Sequence, residues 1–285
     1  MSESVRVVAS EMRRLRGVRS TWVVVAAAVV LNAAVAAVSA QRLPAGELAV
    51  PDAVRSAAAV VPLLPLPLTA LAAAVLGALS YSSEMRWPGL PAARVALRRR
   101  WGSLVAKLVV VGAAAVLLAV VTLGLNLLAV RLALPAGVSA SAVFDLPQLS
   151  QLTHPGRLLD QSGGLLGTGG IGRPLLAFLV LSVVGGWAGL LLTSLVRSAV
   201  AGILLTGALP ALLEPTAGLV LHRSGLNWPV WVRELLPFQY GLNWVRSTTD
   251  RTAAALDGTV MVALLVPAAV LVLAAVLAQL RRRAL

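Results

Sequence analysis

Long apolar runs recur along the whole chain and constrain it more than any other feature. They extend over Thr21 to Ala40, Ala58 to Tyr81, Leu104 to Leu134, Pro174 to Leu195, Ser198 to Leu213 and Thr259 to Leu280. A helix needs about 20 predominantly apolar residues to cross a bilayer, and most of these runs supply them. Composition agrees: 59% of the 285 residues are hydrophobic and only 12% charged, and the mean hydropathy is +0.89. Soluble domains carry about 25% charged residues, and one soluble core has no room for this much apolar surface. The expectation is an all-α integral membrane protein, a single transmembrane domain over residues 1–285 with six transmembrane helices.

Charge sets the expected orientation. The net charge of +13 does not point to nucleic acid, because arginines cluster at the edges of apolar spans, as the positive-inside rule requires. Segment 1–20 carries Arg6, Arg13, Arg14, Arg16 and Arg19. The loop at 84–103, with the start of the third span, carries Arg86, Arg94, Arg98, Arg99, Arg100 and Lys107. Arg197 marks a tight turn between the fourth and fifth spans, and Arg281 to Arg283 follow the sixth. These segments hold fifteen basic residues and three acids, whereas the remainder holds nine and eight. The loops 41–57, 135–173 and 222–257 are therefore expected outside. Both termini are expected in the cytoplasm, with the protein in the cytoplasmic membrane.

Within segment 1–20 the apolar residues Val5, Val8, Met12, Leu15 and Val18 recur at helical spacing, which predicts an amphipathic helix on the inner membrane surface. Arg13-Arg14 and Val38-Ser39-Ala40 resemble parts of a cleaved leader, but the following apolar run exceeds the 7–15 residues of a signal-peptide core. It is read as the first span. Pro62, Pro65 and Pro67 predict a kink or a late helix start in the second. Six of the seven tryptophans flank spans, as interfacial anchors do; Trp187 lies inside the fourth.

Several chemistries are excluded. Without cysteine there is no disulfide and no thiolate site. His154 and His222 are the only histidines, and neither pairs at metal-ligand spacing. The one Gly-rich run, Gly163 to Gly172, lacks the lysine of a phosphate-binding loop, so this chain has no such route to ATP hydrolysis. Few ionisable residues interrupt the spans, which argues against a proton-coupled carrier and favours an apolar path suited to an amphiphilic substrate. Ser182, Gly185, Gly186 and Gly189 form a small-residue pattern for close helix packing, either within the chain or at a dimer seam.

Two segments carry a specific resemblance. Ser10 to Trp22 reads S-E-M-R-R-L-R-G-V-R-S-T-W. It resembles the N-terminal segment of bacterial ABC-2 type transporter permeases in Glu11, Leu15, Arg16, Arg19, Ser20, Thr21 and Trp22, with Arg14 where the family usually has lysine. Leu76, Gly77, Ser83, Glu84 and Arg86, then Arg98 to Arg100 and Lys107, are similar to the family's stretch from the second span into the third. Pro88 and Pro91 depart from its pattern. The matched stretches are a minor part of the chain, whereas the six-span, N-terminus-inside plan agrees along its length.

The resemblance implies the membrane subunit of an ABC exporter, working as a dimer with a second or similar permease. Separate ATPase subunits would hold ATP and magnesium, leaving this chain without a cofactor. It implies that the amphipathic helix and loop 84–103 form the ATPase-coupling surface, with Glu11, Arg16, Arg19, Glu84, Arg86, Arg94 and Arg98 as candidates. Anionic-lipid binding is the other reading of those arginines. Candidates for the translocation path are Asn32, Asn126, Trp187, Phe238 and Tyr240. For the two asparagines, interhelical hydrogen bonding is the competing role. Two readings from other classes stand beside the exporter. One is a membrane enzyme, for which Glu234, His222 and Asp250 are the available cluster. The other is a scaffold or immunity protein without transport.

Overall fold

The computed structural model describes residues 3–43, 46–47, 56–59, 66–85, 97–135, 138–139 and 172–208. In chain order they form α1 (Glu3–Gly17), α2 (Arg19–Gln41), β1 (Gly46–Glu47), α3 (Leu68–Met85), α4 (Leu97–Ala133), β2 (Val138–Ser139), α5 (Gly172–Val196) and α6 (Ala199–Ala208). Among the described residues three stretches are long and apolar enough to cross a membrane: Arg19–Gln41, Leu104–Ala133 and Phe178–Val196. The described residues are helical apart from short connections and one parallel pairing, Gly46 with Val138 and Glu47 with Ser139. That pairing ties the segment after α2 to the segment after α4, and no apolar pattern announces it. The expected sixth span, 259–280, and the loop 222–257 lie outside the described residues.

α1 breaks at Gly17, Val18 is extended, and α2 begins at Arg19. Along α2 the buried residues Thr21, Ala28, Asn32, Ala36 and Ala40 fall on one stripe, as a 3.6-residue period requires. Trp22, Val23, Val30, Leu31 and Val38 cover the exposed face. The apolar stretch of α4 repeats the pattern, burying Ala115, Ala119, Thr122, Asn126 and Val130 and exposing Leu117, Val120, Leu128 and Leu132. In water such faces would be a liability; in a bilayer they meet lipid.

Within the second expected span, 58–81, α3 begins at Leu68, after Pro67. The carbonyl of Pro67 accepts the first two helical hydrogen bonds, from Ala70 and Leu71. Proline cannot continue a helix N-terminally, because it lacks the amide proton and its ring clashes with the preceding turn. The upstream residues Ser56 to Ala59 are buried; Ser56 and Ala57 are helical and Ala58 and Ala59 turn away, with Ala59 at φ 47°. Carbonyls at the end of a helix lack helical partners and need others where water is absent. Here the Asn126 side chain of α4 donates Nδ2–H to the Ala57 carbonyl at 2.7 Å.

α3 and α5 form the centre of the bundle and share its most extensive contact. Their seam is built from small residues. A methyl added at Gly185 would lie 2.6 Å from the Ala70 carbonyl oxygen. One at Gly77 would collide with the Gly186 carbonyl, and one at Gly189 with that of Ala74. The small-residue pattern thus packs within the chain. Lipid is as apolar as leucine, so helices associate in it through such close packing and hydrogen bonds.

α5 ends in a left-handed residue, Arg197 at φ 59°, whose amide bonds the Thr193 carbonyl at 2.8 Å. Ser198 then caps α6 through Oγ, which accepts from the Ala201 amide at 3.3 Å. α6 folds back on α5, where Gly202 meets Thr193. The tight turn expected at Arg197 is therefore one αL residue followed by a helix cap.

The seam makes a clean prediction. Gly189→Val forces α3 from α5 and lowers stability by about 3 kcal/mol or more, the upper range for overpacking. Gly124→Ala meets open space and is neutral or stabilising by up to about 1 kcal/mol. Thermal unfolding of the two variants in mild detergent reads the difference.

Candidate functional site

Helical periodicity places Glu11 on the side of α1 that also carries Val8, Met12 and Leu15, all half-buried, whereas Arg13, Arg16 and Arg19 are exposed. On α4, Lys107 lies one turn inside the apolar stretch that opens at Leu104. The two elements meet there. Lys107 Nζ lies 3.2 Å from Glu11 Oε1, with the lysine side chain only 3% exposed and the glutamate 14%. A lysine at such a depth is costly unless paired, and the carboxylate supplies the opposite charge at hydrogen-bond distance.

Around the pair the first turn of α2 and the end of α3 close in. Glu11, Arg14, Leu15, Val18, Thr21, Leu79 and Ser80 line a crevice of about 10 Å³. That is at the lower limit for one water molecule, so the crevice is a seam between packed elements and not a substrate pocket. Trp22 adds a second tie. Its indole Nε1–H donates to the Arg16 carbonyl at 2.9 Å, satisfying one of the carbonyls that the end of α1 leaves without a helical partner.

The other candidates fall in different places. Glu84 lies in the last turn of α3 and Arg98 in the first turn of α4. Arg86, Arg94, Phe238 and Tyr240 lie outside the described residues, as does the alternative cluster of His222, Glu234 and Asp250. Among the described residues no three His, Asp or Glu side chains gather as metal ligands.

Deeper in the bundle a polar cluster joins three helices. Asn32 of α2 donates Nδ2–H to its own helix at the Ala28 carbonyl, 2.7 Å away. Its Oδ1 accepts from the Thr69 hydroxyl of α3 at 3.2 Å. Thr122 of α4 stands 3.4 Å from the same hydroxyl and donates to the carbonyl of Leu118 at 2.8 Å. The single Thr69 proton has Asn32 as its nearer acceptor. Among the described residues Asn126 Oδ1 is buried without a hydrogen-bond partner. Trp187 donates its indole proton to the Leu108 carbonyl at 2.9 Å and lays its ring along Gly112. Asn32, Asn126 and Trp187 thus all make contacts between chain segments.

The Glu11–Lys107 pair escaped sequence reasoning, although a signal was present. Lys107 is the only lysine among 24 basic residues, and each partner sits in one of the two segments singled out by pattern. No protein-family model, curated protein or solved structure matches the chain.

Two stability effects follow. Glu11→Gln removes the carboxylate facing Lys107 and costs about 2–3 kcal/mol, below the 3–5 kcal/mol of a fully buried pair, because Glu11 retains some contact with solvent. Adding Lys107→Met recovers most of that loss. Thr69→Val keeps the side-chain shape, removes the donor to Asn32 and costs about 1 kcal/mol, the scale of hydrogen bonds between membrane helices. Reversible unfolding in mixed micelles measures both.

Proposed function

We propose that the chain is the membrane-spanning permease subunit of an ABC-2 type exporter. In this reading six helices cross the cytoplasmic membrane with both termini inside. Two permease copies, or this chain and a similar one, pair in the bilayer. Separate ATPase subunits bind ATP and magnesium and dock on α1 and the loop 84–103.

One observation carries the reading. The segments that resemble the family, Ser10 to Trp22 and Leu76 to Lys107, are far apart in sequence yet converge at one end of the bundle. They do so through the Glu11–Lys107 pair and the seam of Arg14, Leu15 and Thr21 with Leu79 and Ser80. Exposed arginines, Arg13 and Arg16 on α1 and Arg19 at the start of α2, offer charges that acidic groups of a partner can meet.

The interior supports a small amphiphilic, lipid-like or drug-like substrate. Along the described spans the buried polar side chains are short hydroxyls and amides, and the one buried charge is Lys107 at the margin. Such a path offers little to a strongly hydrated solute and is compatible with one that brings its own apolar surface.

The test is affinity purification from the native host in mild detergent, with partner identification and an ATPase assay. An ATPase subunit is expected to co-purify. Its activity is expected to fall when Arg94→Glu or Glu84→Ala is introduced. Isolation of the chain alone under gentle conditions, with no associated ATPase, would overturn the reading. Co-purification of a partner whose ATP hydrolysis is insensitive to both substitutions would overturn the assigned docking surface.

A further inference from the structure

α1 is joined to α2 through Val18 alone, yet it packs more extensively on α4 than on α2. The junction is built to bend. Val18 is extended at φ −86° and ψ 116°, and no side chain caps the start of α2. Across it, Trp22 holds the Arg16 carbonyl from a position 56% exposed. The contact with α4 is of another kind, because Glu11 and Lys107 are both largely buried. Pulling them apart would break an ion pair between two largely buried charges, which costs more than losing an exposed one.

α4 itself is one helix from Leu97 to Ala133, with no proline in its sequence. At 1.5 Å per residue it is about 55 Å long, against a hydrocarbon core of about 30 Å. Its first residues, Arg98 to Arg100 among them, therefore extend beyond the apolar stretch that begins at Leu104. A displacement of that end is carried along the same rod into the membrane.

We infer that α1 and the cytoplasmic end of α4 move as a single lever, with the Glu11–Lys107 ion pair as its clamp. Lys107 is then a positioning residue. It joins the helix an ATPase would push to the span that must respond, while Val18 lets α1 turn relative to α2. This inference rests on the permease reading for its source of force; the clamp itself does not.

The chain has no cysteine, so labels can be placed singly. Arg13→Cys on α1 and Val105→Cys on α4, both exposed, would carry spin labels in the full chain in lipid nanodiscs. Pulsed dipolar spectroscopy reads the distance between them. For the chain alone a narrow distribution is expected, broadened by Glu11→Gln; equal widths would overturn the clamp whether or not an ATPase partner exists. In the complex the distance is expected to be the same without nucleotide and with ATP trapped. A shift between those states would overturn the lever.

In Glu11→Gln, transport per ATP is also expected to fall about tenfold, within the range that single substitutions exert on coupling. Unchanged transport per ATP would likewise overturn the lever. The reversed pair Glu11→Lys with Lys107→Glu is expected to restore both the narrow distance and the transport ratio, which a loss of packing alone would not allow. A reversed pair that folds but restores neither would overturn the role of the charges.

Discussion

Close approach of two helix backbones is the contact on which the rest of this bundle depends. Water drives apolar helices together, but lipid offers no such force, because its chains solvate leucine as well as another helix does. What remains is dispersion between atoms in tight contact, small per pair and large in sum. Gly77 on α3, with Gly185 and Gly189 on α5, lets carbonyl groups of the facing helix sit where a methyl would otherwise stand. The alanines of α3, buried on nearly every side, extend the same economy of volume toward α2 and α4. Side chains of leucine size on this seam would hold the helices apart and leave the remaining contacts unmade.

Once α3 and α5 are so close, the polar groups between helices become specific. The Thr69 hydroxyl can reach Asn32 only if α2 and α3 are in one register, and Trp187 can reach the Leu108 carbonyl only in one register of α4 and α5. Each bond contributes little in free energy, about 0.6 kcal/mol on average for membrane helices. Their larger effect is to disfavour sliding, since a slip leaves a buried donor without an acceptor. The Ala57 carbonyl and Asn126 apply the same logic to a turn. The chain upstream of α3 is held to the bundle at that point because a side chain on α4 meets its backbone.

The sequence made some of this legible because the signal is physical and local. Span positions follow from apolar runs of bilayer length, which is why α2, α4 and α5 fall where those runs lie. The late start of α3 follows from proline chemistry at Pro67. The small-residue pattern at Ser182 to Gly189 announced close packing, but its partner, α3, was hidden because pattern alone does not say which face meets which. Long-range pairings were hidden for the same reason. Nothing in Gly46-Glu47 or Val138-Ser139 announces a β pairing, and nothing local tells Trp22 that its nearest acceptor is Arg16. Of the candidate site, Glu11 and Lys107 were visible one at a time. Their union requires knowing that α1 folds against α4 and not along the helix to which it is joined.

That union also changes how α1 is to be understood. An amphipathic helix on a membrane surface is held by its apolar face and by lipid charge, both of which let it slide and rotate. α1 is held differently. Its glutamate enters the protein and meets a lysine buried 97% from solvent, which fixes its axial position to about the length of one ion pair. Arg13 and Arg16 on its outer side then occupy defined positions relative to the bundle. A helix serving only as a lipid anchor gains nothing from such registration, because any rotation that keeps the apolar face down serves equally well. A helix whose charges must keep fixed positions relative to the bundle requires it.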